Sequence, residues 1–78
     1  MAEIRSPLPG IFYRRPAPDL PPFKEVGDAV AVDDVIGLVE VMKSFIEIKA
    51  DTAGTVVRFV TESEDAVMAG DVLVELEG

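Results

Sequence analysis

The run Glu40-Val41-Met42-Lys43 is where residue types and spacing in this chain point to covalent chemistry. Among the 78 residues there is no histidine and no cysteine. That removes disulfides, thiolate nucleophiles, zinc sites of the usual kind and the commonest general base, and with them a self-sufficient hydrolase. Neither a metal site nor a catalytic group of the chain's own is expected. What remains is an amine: Lys43 has no basic neighbour, and on its flexible four-carbon stem it is a nucleophile when neutral. The chemistry this permits is modification of the side chain rather than turnover.

Two strands must present that lysine. Val35 to Val41 is almost continuously apolar, as an inner strand requires, and Phe45 to Ala50 alternates, with Ile46, Ile48 and Ala50 on one side and Phe45, Glu47 and Lys49 on the other. No Gly, Asn, Asp or Pro stands between them, so parity has to fix the turn. A two-residue turn at Met42-Lys43 pairs Val41 with Ser44, Val39 with Ile46, Gly37 with Ile48 and Val35 with Ala50, which puts the small and apolar residues on one face. A three-residue loop centred on Lys43 would set Glu40 against Ile46 and Val39 against Glu47. The tight turn is therefore predicted, although Met42 and Lys43 are poor residues for the positive φ it demands at both central positions. Strain of this kind costs about 1 to 3 kcal/mol and persists where function holds it. The turn pushes the Lys43 amine into solvent. Taken alone, Lys43 is a solvated tip lysine and Glu40 a solvated strand-end carboxylate; set between two strands, the four residues read as a modification site.

The strands belong to an internal repeat. Ser6-Pro7-Leu8-Pro9-Gly10-Ile11-Phe12-Tyr13-Arg14 aligns with residues 50–58 at an offset of 44, sharing a glycine and an arginine. Gly27 to Glu40 aligns with Glu64 to Glu77 at an offset of 37, and Asp28, Ala29, Val30, Asp34, Val35 and Glu40 recur as Asp65, Ala66, Val67, Asp71, Val72 and Glu77. The first half is longer by the Pro-rich stretch from Arg15 to Pro22, an insertion that closing the core does not require. All six prolines lie in the first 22 residues and valine is frequent after them, so a loop-rich front precedes a β-rich remainder. Near the C-terminus, Val72, Val74 and Leu76 are expected on one face with Glu75 and Glu77 on the other. The predicted fold is all-β: two antiparallel four-stranded sheets forming a flattened barrel or sandwich with a quasi-two-fold axis. Gly10, Gly27, Gly54 and Gly70 are expected in turns.

Seventy-eight residues make one small domain, 1–78, which buries about 60% of its unfolded surface and has little room for a deep active site. A net charge of -8 repels phosphate backbones and anionic lipid, which argues against nucleic-acid or membrane partners. Met1 to Gly10 has neither the basic start nor the apolar run of a signal peptide, and a cytoplasmic location is expected.

These features resemble the biotinyl domains of biotin carboxyl carrier proteins of the acetyl-CoA carboxylase type. The matching segments are Ile4-Arg5-Ser6-Pro7, Gly10-Ile11-Phe12-Tyr13-Arg14, Glu25-Val26-Gly27-Asp28, Glu40-Val41-Met42-Lys43, Ala50-Asp51 and Gly54-Thr55-Val56. Where that family usually has Ala-Met-Lys-Met, this chain has Val41 and Ser44 at the flanks. The resemblance implies covalent biotin on Lys43, with Glu40, Val41, Met42 and Ser44 around it, and no enzymatic activity of the chain's own. It implies a biotin protein ligase that loads the lysine, and a biotin carboxylase and a carboxyltransferase between which a swinging arm moves a carboxyl group, as in fatty acid biosynthesis. The stretch 15–22 resembles the protruding thumb of those carriers. A lipoyl carrier and an unmodified regulatory subunit are the alternatives, with Met42 before the lysine favouring biotin; the carboxyl acceptor, whether acetyl-CoA, another acyl-CoA or urea, stays open.

Overall fold

The computed structural model describes residues 2–78; Met1, included in the expected domain, lies outside the described residues. Among the described residues there are eight strands and no helix: β1 Ala2–Arg5, β2 Gly10–Tyr13, β3 Ala29–Val30, β4 Val35–Val41, β5 Ser44–Lys49, β6 Gly54–Phe59, β7 Ala66–Val67 and β8 Val72–Glu77. They form two antiparallel sheets of four, ordered β1-β8-β6-β3 and β5-β4-β2-β7. This is the expected architecture, and its symmetry extends to the register. Adding 44 to β1 or β2 and 37 to β3 or β4 carries one sheet's pairs onto the other's, as Ile4–Val74 matches Ile48–Gly37 and Ile11–Glu40 matches Thr55–Glu77; the exception is Val57, which is bulged in β6 where Tyr13 pairs in β2.

The recurring aspartates are explained by four identical turns. Asp28, Asp34, Asp65 and Asp71 each donate a backbone N–H to the carbonyl three residues earlier, closing a β-turn. Each also accepts, through Oδ2, the N–H of that same earlier residue: Glu25 at 2.8 Å, Ala31 at 2.9 Å, Glu62 at 3.3 Å and Met68 at 2.9 Å. The third position of each turn has positive φ, as in a type II turn: Gly27 (94°), Asp33 (75°), Glu64 (71°) and Gly70 (93°). Asp34 also holds Lys24 Nζ at 3.3 Å; the Ala31 N–H and then Lys24 keep its carboxyl below the usual aspartate range.

Three expectations need correction. Val35 pairs with Lys49 and not with Ala50, because Ile36 is an extra residue bulged into β4 between the Val35 and Gly37 pairs. At the corresponding place in β8, Leu73 is bulged between the partners of Ile4 and Arg5. Leu73 is consequently fully buried beside Val74 and Leu76, while Val72 is only half-buried, contrary to strict alternation. Gly10 and Gly54 are not turn residues but open β2 and β6. A Cβ on Gly10 would lie 2.5 Å from the Glu40 carbonyl oxygen, so close strand approach is what requires glycine there.

The core is drawn from matching places in the two halves: Phe12, Ile36 and Val39 face Val56, Leu73 and Leu76, all six essentially inaccessible. Burial of such side chains contributes about 1.5 to 3 kcal/mol each. β4, lying between β2 and β5, buries Ile36 to Val39, so the strand leading to Lys43 is anchored through its middle. Outside the strands, residues 14–28 form an irregular segment whose inner stretch 15–22 is pinched at its base, where Phe23 N–H donates to the Arg14 carbonyl at 2.9 Å.

The symmetry identifies a removable strain. Glu64 occupies the turn position that Gly27 fills in the other half, with the same backbone bond from its N–H to the strand carbonyl (Glu64 to Phe12, Gly27 to Val56). Glu64→Gly is expected to stabilise the chain by about 0.5 to 1 kcal/mol, the relief of left-handed backbone less the entropy glycine adds to the unfolded state. Urea unfolding midpoints of the two chains measure it, and a fall in the midpoint contradicts this account of the turn.

Candidate functional site

Lys43 sits at the far end of the β4–β5 hairpin. Val41 pairs with Ser44, Glu40 with Phe45 and Val39 with Ile46, which leaves Met42 and Lys43 as a two-residue turn. Their φ angles are 49° and 68°, the pair of positive values a type I′ turn needs. Neither residue is Gly, Asn or Asp, so the tip is held in a conformation its own side chains disfavour. Met42 is 93% exposed and Lys43 and Ser44 are exposed as well, while Glu40 and Val41 are half-buried. Among the described residues none of the three ion pairs includes Lys43. The tip thus displays an unpaired amine beside an apolar thioether, and no group positioned for acid–base catalysis stands next to it.

Behind the tip the outer face of the sheet carries an aromatic and carboxylate cluster. Tyr13 Oη donates to Glu40 Oε1 at 3.1 Å, and the Tyr13 and Phe45 rings meet at 5.9 Å between centroids, tilted by 60°. The bond to Glu40, with some desolvation, holds the Tyr13 phenol above its ordinary range. Pro16, Ala17 and Pro18 of the irregular segment face these residues across a shallow groove. The corresponding face of the other sheet is charged: Arg58 Nε lies 2.5 Å from Glu75 Oε1, which raises the Arg58 pKa, and Glu3 pairs with Arg5. The structure therefore brings Glu40, Val41, Met42, Lys43 and Ser44 to one hairpin end. Tyr13 is a member of this cluster that sequence reasoning did not single out. No signal in the sequence marked it, since the block around Tyr13 shares only a glycine and an arginine with its repeat.

No group of three or more His, Cys, Asp or Glu side chains is placed to hold a metal among the described residues. What the hairpin can hold is a group joined to its lysine. The family model described as "Biotin-requiring enzyme" matches residues 2–76. The chain belongs to the biotin-requiring enzyme family. Within it, the chain is 45% identical over 67 residues to the biotin carboxyl carrier protein of acetyl-CoA carboxylase from the chloroplast of Glycine max, covering 86% of this chain and 26% of that protein. It is 40% identical over 74 residues to the protein of the same description from Haemophilus influenzae, covering 95% of this chain and 48% of the relative. The chain thus spans at most about half the length of these relatives. Among solved structures, the urea carboxylase of Kluyveromyces lactis contains a matching region, with a TM-score of 0.77 and 26% identity over 97% of this chain and 6% of that one. The hairpin end with its exposed Lys43 lies within the residues that the family model matches.

If the turn is kept for display and not for stability, residues suited to positive φ should improve the fold. Met42→Asn combined with Lys43→Gly is expected to raise stability by about 1 kcal/mol while removing the amine. Thermal unfolding monitored by circular dichroism measures the gain; a lower melting temperature means that the side chains at 42 and 43 stabilise the hairpin.

Proposed function

We propose that this chain is the carrier domain of a biotin-dependent carboxylase of the acetyl-CoA carboxylase type, with Lys43 as the attachment residue. The observation that carries the reading is the strained, fully displayed Met42–Lys43 turn on a strand whose other end is locked in the core. Family membership adds the chemical identity of the group, and relatives described as biotin carboxyl carriers favour biotin over lipoate.

In the loading step, a biotin protein ligase presents a biotin carboxyl activated as the acyl adenylate. The neutral Lys43 amine attacks the acyl carbon, the amide bond forms as the bond to AMP breaks, and the amine gives up a proton. The lysine's charge is lost with it. Held on Lys43, biotin would supply a ring nitrogen able to carry a carboxyl group between a biotin carboxylase and a carboxyltransferase. The hairpin's part is to hold one end of the tether at a fixed place, which raises the local concentration of the carried group at each partner site. Val41 and Ser44 close the turn, Met42 offers the apolar surface beside the amine, and Glu40 braces the strand behind it. The cytoplasm, where ATP and bicarbonate are available to such partners, is the location this reading implies.

Intact mass after coexpression with a biotin protein ligase is the first test. One biotin-sized increment is expected on the natural chain and none on Lys43→Arg, whose stability should match it to within about 0.5 kcal/mol as for exposed substitutions generally. An octanoyl or lipoyl increment, or biotin on the arginine variant, overturns the assignment.

The domain is read as continuous across the chain, with residues 15–22 as a thumb-like insertion. The hydrogen bond between Arg14 and Phe23 brings the ends of that insertion together, so a short bridge can replace it. With 15–22 replaced by Gly-Gly, the chain is expected to fold and accept biotin but to transfer carboxyl groups at an altered rate. An unchanged transfer rate in the reconstituted carboxylase reduces the segment to a neutral loop.

A further inference from the structure

The quasi-two-fold axis gives this molecule an internal control. Each sheet takes two strands from each half and carries the same turns, so a residue without an equivalent marks a place where the two sheets differ. Tyr13 has no equivalent. Its partner by sequence is Val57, a bulged residue in β6, whereas β2 keeps regular pairing with Tyr13 opposite Leu38. Where the other sheet sets Arg58 against Glu75, this one sets an aromatic ring against a leucine. Glu40 likewise engages the Tyr13 hydroxyl, while its counterpart Glu77 is exposed.

Those departures converge on one place. Tyr13 touches both members of the cross-strand pair Glu40–Phe45, one through its hydroxyl and the other through its ring. That pair lies directly behind Val41–Ser44, which closes the turn, so it is about 7 Å along the strands from the tip residues. A side chain braced on both strands there restricts twisting of the ribbon. A hairpin end projecting from a sheet twists easily, and an enzyme that must place the amine within reach of an activated carboxyl gains from receiving it in one orientation.

We propose that Tyr13 is a positioning residue for modification of Lys43, clamping the Glu40–Phe45 pair so that the strained turn meets its loading enzyme preorganised. This rests on the reading of Lys43 as the attachment residue. Tyr13 acts through Glu40 and Phe45 and touches neither the amine nor the incoming carboxyl. Because Tyr13→Phe keeps the ring and removes only the hydroxyl, it separates the clamp from the packing.

The test is steady-state biotinylation of the purified chain by a biotin protein ligase, with carrier concentration varied and melting temperature recorded for each variant. At a temperature where every variant is fully folded, Tyr13→Phe is expected to raise KM for the carrier about threefold with kcat unchanged, while the lost hydrogen bond lowers the melting temperature by a few degrees. Glu40→Ala should raise KM as well, and adding Tyr13→Phe to it should add nothing, since the hydroxyl then has no partner to hold. An unchanged KM in Tyr13→Phe overturns the proposal, as does a rise that adds in full to the effect of Glu40→Ala. Biotin appearing on Lys43→Arg in the same assay overturns the attachment site instead, so the two failures are distinct.

Discussion

Phe12 lying across Gly37 is the contact on which the lysine-bearing half depends. A Cβ on Gly37 would stand 2.5 Å from Phe12 Cε1 and 2.8 Å from the Tyr13 carbonyl oxygen, so only glycine lets β4 pass beneath the ring. The other half solves the same packing problem with Val56 and Val74, two medium side chains in place of one large and one absent. Interiors at crystal-like density tolerate such an exchange when total volume is kept. Phe12 and Gly37 fix how β2 lies on β4, and β4 runs on from there to the displayed turn.

The two halves also share their strain differently. Among the four equivalent turns, glycine supplies the positive φ in one turn of each half and a charged residue bears it in the other. Asp33 and Glu64 are therefore tolerated costs of a small fold with several identical turns closed by aspartate. Met42 and Lys43 are unlike these. Their strain belongs to a hairpin turn without a closing aspartate, and it falls at the hairpin end where an amine is displayed.

Division of labour between the sheets follows from the same comparison. One outer face is a ladder of ion pairs whose contribution to stability is small, as for exposed pairs generally. The other is aromatic near the lysine and is partly roofed by the irregular segment after β2. Around the lysine the described features are those of a scaffold: Ile36 to Val39 of β4 are buried, Tyr13 joins the cross-strand pair Glu40–Phe45, and the turn leaves Met42 and Lys43 exposed.

Much of this was legible in the sequence because the signals are local or repeated. Alternation over Phe45 to Ala50 gave the strand, parity gave the two-residue turn, and the recurring aspartates announced the symmetry before their hydrogen bonds were known. The bulges at Ile36 and Leu73 were not legible, since each inserts one residue into a pattern of period two and its placement depends on the partner strand. The role of Gly10 was missed for a related reason: its neighbour, the Glu40 carbonyl, is thirty residues away along the chain. The sequence by itself determined the lysine, its turn and the repeat that frames them, because these are fixed by residue type, parity and periodicity. Only the tertiary structure decided that Tyr13 reaches Glu40 and Phe45, because contacts between residues so far apart along the chain arise from how strands are laid side by side, and no local pattern encodes that.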